Sequence, residues 1–149
     1  MPEGRQWRWK NFPVPETHLG LLAVGVVTNL AWQRRIGPSR QVRSLGLPLM
    51  AAGVGLAVWS TRAAGEVDLE HPGRIVTHGP YSRSRHPMYL AWTLAYVGVA
   101  LTSNNRWLLR LLPVLAILMR REVLSEERRL EEAFGTEYVV YASNVRRYL

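Results

Sequence analysis

Four apolar stretches constrain this chain more than any other feature. Thr17–Gln33, Ser44–Thr61 and His86–Asn105 contain no Asp, Glu, Lys or Arg, and Trp107–Met119 contains only Arg110. Lipid satisfies no backbone hydrogen bond, so a crossing segment must be helical and needs ~17–25 predominantly apolar residues. The first three stretches meet that length. The fourth is short, but the Arg110 side chain can snorkel to the membrane surface and the helix can continue beyond it. The expected fold is therefore an all-α integral membrane protein with about four transmembrane helices, the last two forming a hairpin across the turn Thr102–Asn105. A C-terminal helical tail follows. The length, 149 residues, fits one domain, 1–149, with two N-terminal transmembrane helices in 17–61 and a second half in 73–149.

Charge and composition narrow the function classes. The formal net charge is +8, from eighteen arginines and one lysine against eleven acids. The arginines flank apolar segments instead of forming one stripe, which favours a membrane surface over nucleic acid. Cysteine is absent, so there is no disulfide framework and no thiolate metal site. His18, His71, His78 and His86 show no metal-ligand spacing, and His71 and His78 are read as loop residues. Met1–Glu16 is basic and carries Trp7 and Trp9, as a membrane-interface segment does. Asn29 is expected to bond a neighbouring helix, and Gly46, Gly53 and Gly55 form a small-residue face for close packing. Arg34–Arg43 is read as a basic connector broken at Gly37-Pro38, and Ile75-Val76 as a short extended piece.

Chemistry concentrates in Gly79-Pro80-Tyr81-Ser82-Arg83-Ser84-Arg85-His86-Pro87-Met88-Tyr89. Gly79 and Pro80 stop any incoming helix, and Pro87 suits the first turn of the next one. Arg85 and His86 then stand at a helix start, beside unpaired N–H groups and the positive end of the helix dipole, where an anion is favoured. A second group lies beyond the last apolar stretch: Glu126, Glu127, Leu130, Phe134, Gly135, Tyr138, Tyr141, Val145 and Arg147. Its apolar and aromatic members recur every three or four residues, so they share a helix face that Gly135 interrupts. A hairpin over 86–119 would return Glu126 and Glu127 to the side where Arg85 and His86 began.

Taken together, in this order and at this distance, the two groups resemble the isoprenylcysteine carboxyl methyltransferase and phospholipid N-methyltransferase superfamily of integral-membrane enzymes. The resemblance spans roughly Gly73 to Arg147. Two positions depart from the pattern: Ala91 stands where glycine is usual, and no proline follows Arg147. The resemblance implies S-adenosylmethionine as methyl donor, held by Tyr81, Arg85, His86, Pro87, Tyr89, Glu126, Glu127 and Tyr138. It implies no metal and no assigned catalytic base. The acceptor would be lipophilic and enter from the bilayer, first of all a prenylcysteine-type carboxylate; a phospholipid or other small amine or thiol is the alternative. A reductase related to sterol reductases and a non-catalytic scaffold are the readings from other classes. S-adenosylmethionine is made in the cytosol, so the site and both termini are expected on the cytosolic side of the inner (plasma) membrane.

Overall fold

A computed structural model describes residues 16–37, 39–65, 67 and 73–148. The expected interface segment with Trp7 and Trp9, and His71, lie outside the described residues. The order is α1 (Glu16–Ala31), α2 (Ser39–Ala64), a 3-10 turn (Gly79–Ser82), α3 (Pro87–Thr102), α4 (Arg106–Arg110), α5 (Leu112–Phe134) and α6 (Thr136–Asn144). The described residues form no strand, and Ile75-Val76 is irregular backbone. One isolated parallel bridge joins Ser84 to Arg146.

α2 begins at Ser39, ahead of the apolar run, so Arg40 and Arg43 belong to the helix and not to a connector. Arginine and glutamine are good helix formers, and neither glycine nor proline occurs between Ser39 and Leu45. Pro48 sits inside α2 without ending it. The fourth apolar stretch is one helix with a break at Leu111, where Pro113 supplies no N–H for the preceding turn. Among the described helices α2 alone, over Arg40–Ala64, is by itself long and apolar enough to cross a bilayer.

α1 and α3 run in the same direction, and α2 and α4–α5 run back. At one end Arg106 N–H donates to the Arg34 carbonyl (2.9 Å) and Asn104 Oδ1 accepts from Ile36 N–H (2.9 Å). At the other end Thr17 bonds the Glu122 carboxylate. α3 is the central element and has two unlike faces. Its small residues meet α2: a Cβ on Gly98 would lie 2.6 Å from the Met50 nitrogen, and one on Gly53 2.6 Å from the Ala91 carbonyl oxygen. The helices approach backbone to backbone there, as the small-residue face anticipates. Gly55, read into the same face, has open space around it. Ala91, at the position where glycine is usual, packs against α2.

The other face of α3 carries Tyr89, Thr93 and Tyr96 towards α1 and α5. Tyr96 donates to the Leu108 carbonyl (3.0 Å) and packs with Ala100, Leu108 and Leu115. His18 of α1 is buried and its Nε2 lies 3.2 Å from Thr93 Oγ1. The outer surface is apolar: Val27, Leu30, Leu45, Leu47, Val54, Val114 and Ile117 are 43–75% exposed. An apolar face of this extent needs a partner or a lipid environment.

Candidate functional site

The site is assembled where α2 ends and α3 begins, and the tail is drawn back onto it. Gly79 adopts φ +61°, a left-handed conformation that costs glycine little, and turns the chain tightly against Ala63 and Trp59 of α2. The 3-10 turn then buries Tyr81 with Ala64, Val67 and Val76. Pro87 opens α3 as expected and is buried there. Gly135, φ +52°, ends α5 and redirects the chain into α6. The final residues run beside the loop before α3: Arg85 N–H donates to the Arg146 carbonyl (2.9 Å), and His86 N–H and Ser84 O–H donate to the Arg147 carbonyl (3.3 and 3.2 Å). The N–H groups expected to await an anion at this helix start are thus partly satisfied by the protein's own tail.

Glu127 is the electrostatic centre. Arg147 grips it with two hydrogen bonds, Nε to Oε1 at 2.9 Å and a terminal nitrogen to Oε2 at 2.7 Å. Arg85 stands 3.2 Å from Oε1, and His86 Nε2 3.1 Å from the same oxygen. Burial pushes the Glu127 carboxyl up, but the Arg147 hydrogen bonds, with Arg85 and His86, outweigh it and hold the group below the ordinary 4.5. Glu126 behaves differently. Its side chain is 42% exposed against 11% for Glu127, and its nearest charge partner is His86 Nδ1 at 3.6 Å. The periodicity of the tail could not separate these two glutamates; the packing does.

A small cavity opens beside this network. Its wall includes Arg74, Tyr81, Arg85, Glu126, Tyr138 and Tyr141. Tyr141 donates to the Tyr81 carbonyl (2.7 Å), which ties α6 to the 3-10 turn. Tyr138 is buried, yet its hydroxyl has no partner, and neither has Arg85 Nε. Burial, then the Glu127 charge, pushes the Tyr138 phenol up to about 12, and burial with the Tyr138 charge does the same to Tyr141. Both are neutral hydroxyls at physiological pH. Beside the cavity lie two buried unsatisfied donors, aromatic faces and the half-exposed Glu126 carboxylate, whose partner is His86.

Seven of the eight residues singled out by sequence gather here. Arg85, His86, Glu126 and Glu127 form one network; Tyr81 and Tyr138 line the cavity; Tyr89 stacks edge-on against His86 with ring centroids 5.8 Å apart. The eighth, Pro87, is the buried hinge from which α3 starts. Sequence reasoning left Arg147, Tyr141, Tyr148 and Arg74 out of the site. Arg147 had a weak signal, since it closes the tail motif, but its partner Glu127 is 20 residues away across a turn. The Tyr148 ring lies 6.5 Å from that of His86, and nothing in the spacing announces it.

The donor set suits a zwitterionic nucleoside-sized ligand: hydroxyl and guanidinium donors for a carboxylate, tyrosine faces and Glu126 for a cation. The cavity, about 60 Å³, is far smaller than the ~300–1,000 Å³ of pockets that enclose such ligands. No curated protein and no solved structure matches the chain. A family model described as phospholipid methyltransferase matches residues 42–137, which takes in most of α2, all of α3, α4 and α5 and both glutamates, and ends just before Tyr138. A match over well over half of the chain, centred on the elements that build this site, places the chain in the phospholipid methyltransferase family, within the superfamily of integral-membrane methyltransferases.

Proposed function

We propose that this protein transfers a methyl group from S-adenosylmethionine to a lipophilic acceptor at the cytosolic face of a membrane. The observation that carries the reading is the meeting of Arg85-His86 with Glu126-Glu127 around a cavity at one end of an apolar bundle. Four membrane crossings follow from the four helical stretches, the third and fourth as the arms of a hairpin, with both termini and the site on the same side. The outward-facing valines, leucines and Ile117 are then the lipid-facing surface.

When bound, the donor supplies an electrophilic methyl group on a sulfonium, whose leaving group is a neutral thioether. The chain's own work is positioning and water exclusion. Arg85 Nε and the Tyr138 hydroxyl would bind the donor's carboxylate. Glu126 would take its amino group or face the sulfonium, and Tyr81 and Tyr141 would cover the ring system. His86, buried and bonded to Glu127, holds the loop and the tail in register. Pro87 and Tyr89 fix the start of α3 beneath it.

An aminophospholipid is the favoured acceptor class. The matching family model, described as phospholipid methyltransferase, supports this choice; an ammonium acceptor must lose a proton before it attacks. A prenylcysteine-type carboxylate is the second reading. It needs no base, and the buried imidazole of His86 is already engaged. Incubating the purified protein in lipid with methyl-labelled donor and a membrane lipid extract tests both. Label in an amine headgroup supports the first reading, and label released by mild base as a methyl ester supports the second. Bound donor with no labelled lipid would contradict both and leave a non-catalytic protein.

A further inference from the structure

The end of the bundle opposite the methyl-transfer site carries a second, polar pocket. It is lined by Asn29, Gln33, Arg35, Arg43, Ser103 and Asn104 and measures about 260 Å³. It is a built feature. Asn104 adopts φ +52°, uncommon for a side-chain-bearing residue, and clamps the segment after α1: its Oδ1 accepts from Ile36 and Gly37 N–H (2.9 and 3.3 Å), and its Nδ2 donates to the Gly37 carbonyl (3.1 Å). Arg34 N–H donates to Asn29 Oδ1 at 3.2 Å, so the wall is held from both sides.

The charge of this end is one-sided. No acidic residue occurs between Glu16 and Glu66 or between Glu70 and Glu122, while Arg34, Arg35, Arg40, Arg43, Arg106 and Arg110 all gather here. The ion pairs among the described residues all lie at the other end, and Arg35 and Arg43, which line the pocket, have no ionic partner among those residues. Two guanidinium forks beside the Gln33 amide suit a tetrahedral oxyanion; the Ser103 hydroxyl and the Asn104 amide, which donate to the Val99 and Gly37 carbonyls, shape the wall. With the bundle in a bilayer, the pocket would lie at the level of the lipid headgroups. Exposed Trp32 accepts through its carbonyl from Trp107 Nε1 (2.7 Å), and Arg110 lies 4.8 Å over the Trp107 ring. Paired tryptophans at helix ends mark a membrane–water interface.

We propose that this pocket binds a phosphate group, supplied by an anionic phospholipid headgroup or by free inorganic phosphate. The inference rests on the reading of the bundle as membrane-embedded. Basic pockets between membrane helices are suited to such headgroups. Here one would also neutralise a basic loop on the side where the positive-inside preference disfavours it.

The test uses the full chain in nanodiscs of phosphatidylcholine, with or without phosphatidylglycerol, and mass spectrometry of the lipid that stays bound through detergent extraction. The wild type should retain phosphatidylglycerol. Arg35→Gln with Arg43→Gln should reduce retention at least tenfold, while the charge-matched control Arg40→Gln with Arg106→Gln should not. Inorganic phosphate is titrated into the neutral discs as the second arm. A rise in thermal midpoint in the wild type, absent from the pocket variant, together with no selective lipid retention, would assign the site to free phosphate. Equal lipid retention by all three proteins, or no response to either ligand, overturns the proposal. Donor binding in the same discs separates this outcome from failure of the methyltransferase reading, since the pocket variant should bind donor as the wild type does.

Discussion

Glu126 and Glu127 are adjacent, yet their environments make opposite demands. Glu127 is held by Arg85, His86 and Arg147, so its removal leaves the partly buried Arg85 and Arg147 guanidiniums without their carboxylate. Glu127→Gln should destabilise the protein by on the order of 3 kcal/mol, read as a fall in thermal midpoint in detergent. Its pH dependence has a defined sign. The native carboxyl sits below its ordinary 4.5, so the stabilisation is complete above that value and is lost as pH falls through the lower native value. The acid limb of a stability profile should therefore be shallower in Glu127→Gln, and an unchanged limb would remove Glu127 from the network. Glu126→Gln should leave the midpoint nearly unchanged and weaken donor binding roughly tenfold, by titration calorimetry. Tyr138→Phe should behave alike, because its hydroxyl has no protein partner to lose. Loss of stability in either variant, with donor affinity intact, would make these groups structural.

At the scale of elements, the contact between α2 and α3 carries most of the fold's precision. Gly53→Ala puts a methyl 2.6 Å from the Ala91 carbonyl oxygen and Gly98→Ala puts one 2.6 Å from the Met50 backbone; neither neighbour can give way as a side-chain tip can. Each should cost about 1–3 kcal/mol or force the helices apart. Gly55→Ala meets nothing and should be neutral or slightly stabilising. Equal effects at Gly53 and Gly55 in a thermal series would contradict the packing. This contrast also shows what the sequence could tell. The small-residue face was readable because glycine and alanine repeat along one helix, but which glycine touches a partner depends on the crossing of α2 and α3. The break at Gly135 and the helix start at Pro87 were readable because those residues impose a backbone conformation. The early start of α2 was not, because arginines beyond an apolar run look like a connector while their helix propensity is good. The pairing of Arg147 with Glu127 was not, because it forms only after α6 has turned the chain back.

For the whole molecule, the decisive feature is that two distant stretches end at one place. Arg85-His86 and Glu126-Glu127 were expected to meet because an apolar hairpin separates them, and His86 lies 3.1 Å from Glu127. The membrane arrangement is open to direct measurement, since the chain has no cysteine of its own. Single cysteines at Ser82 and Val140 should be labelled from the cytosolic side, and at Arg40 and Ser103 from the other. Labelling of Ser82 and Val140 from opposite sides would break the shared site. The most direct test of the central claim is photo-crosslinking of a donor analogue, with peptide mapping of the adduct. The expected adducts fall in Arg74–Arg85 or Glu126–Tyr141 and disappear with excess unlabelled S-adenosylmethionine. Adducts confined to other segments, or unaffected by that competitor, would contradict a donor site between the start of α3 and the returning tail.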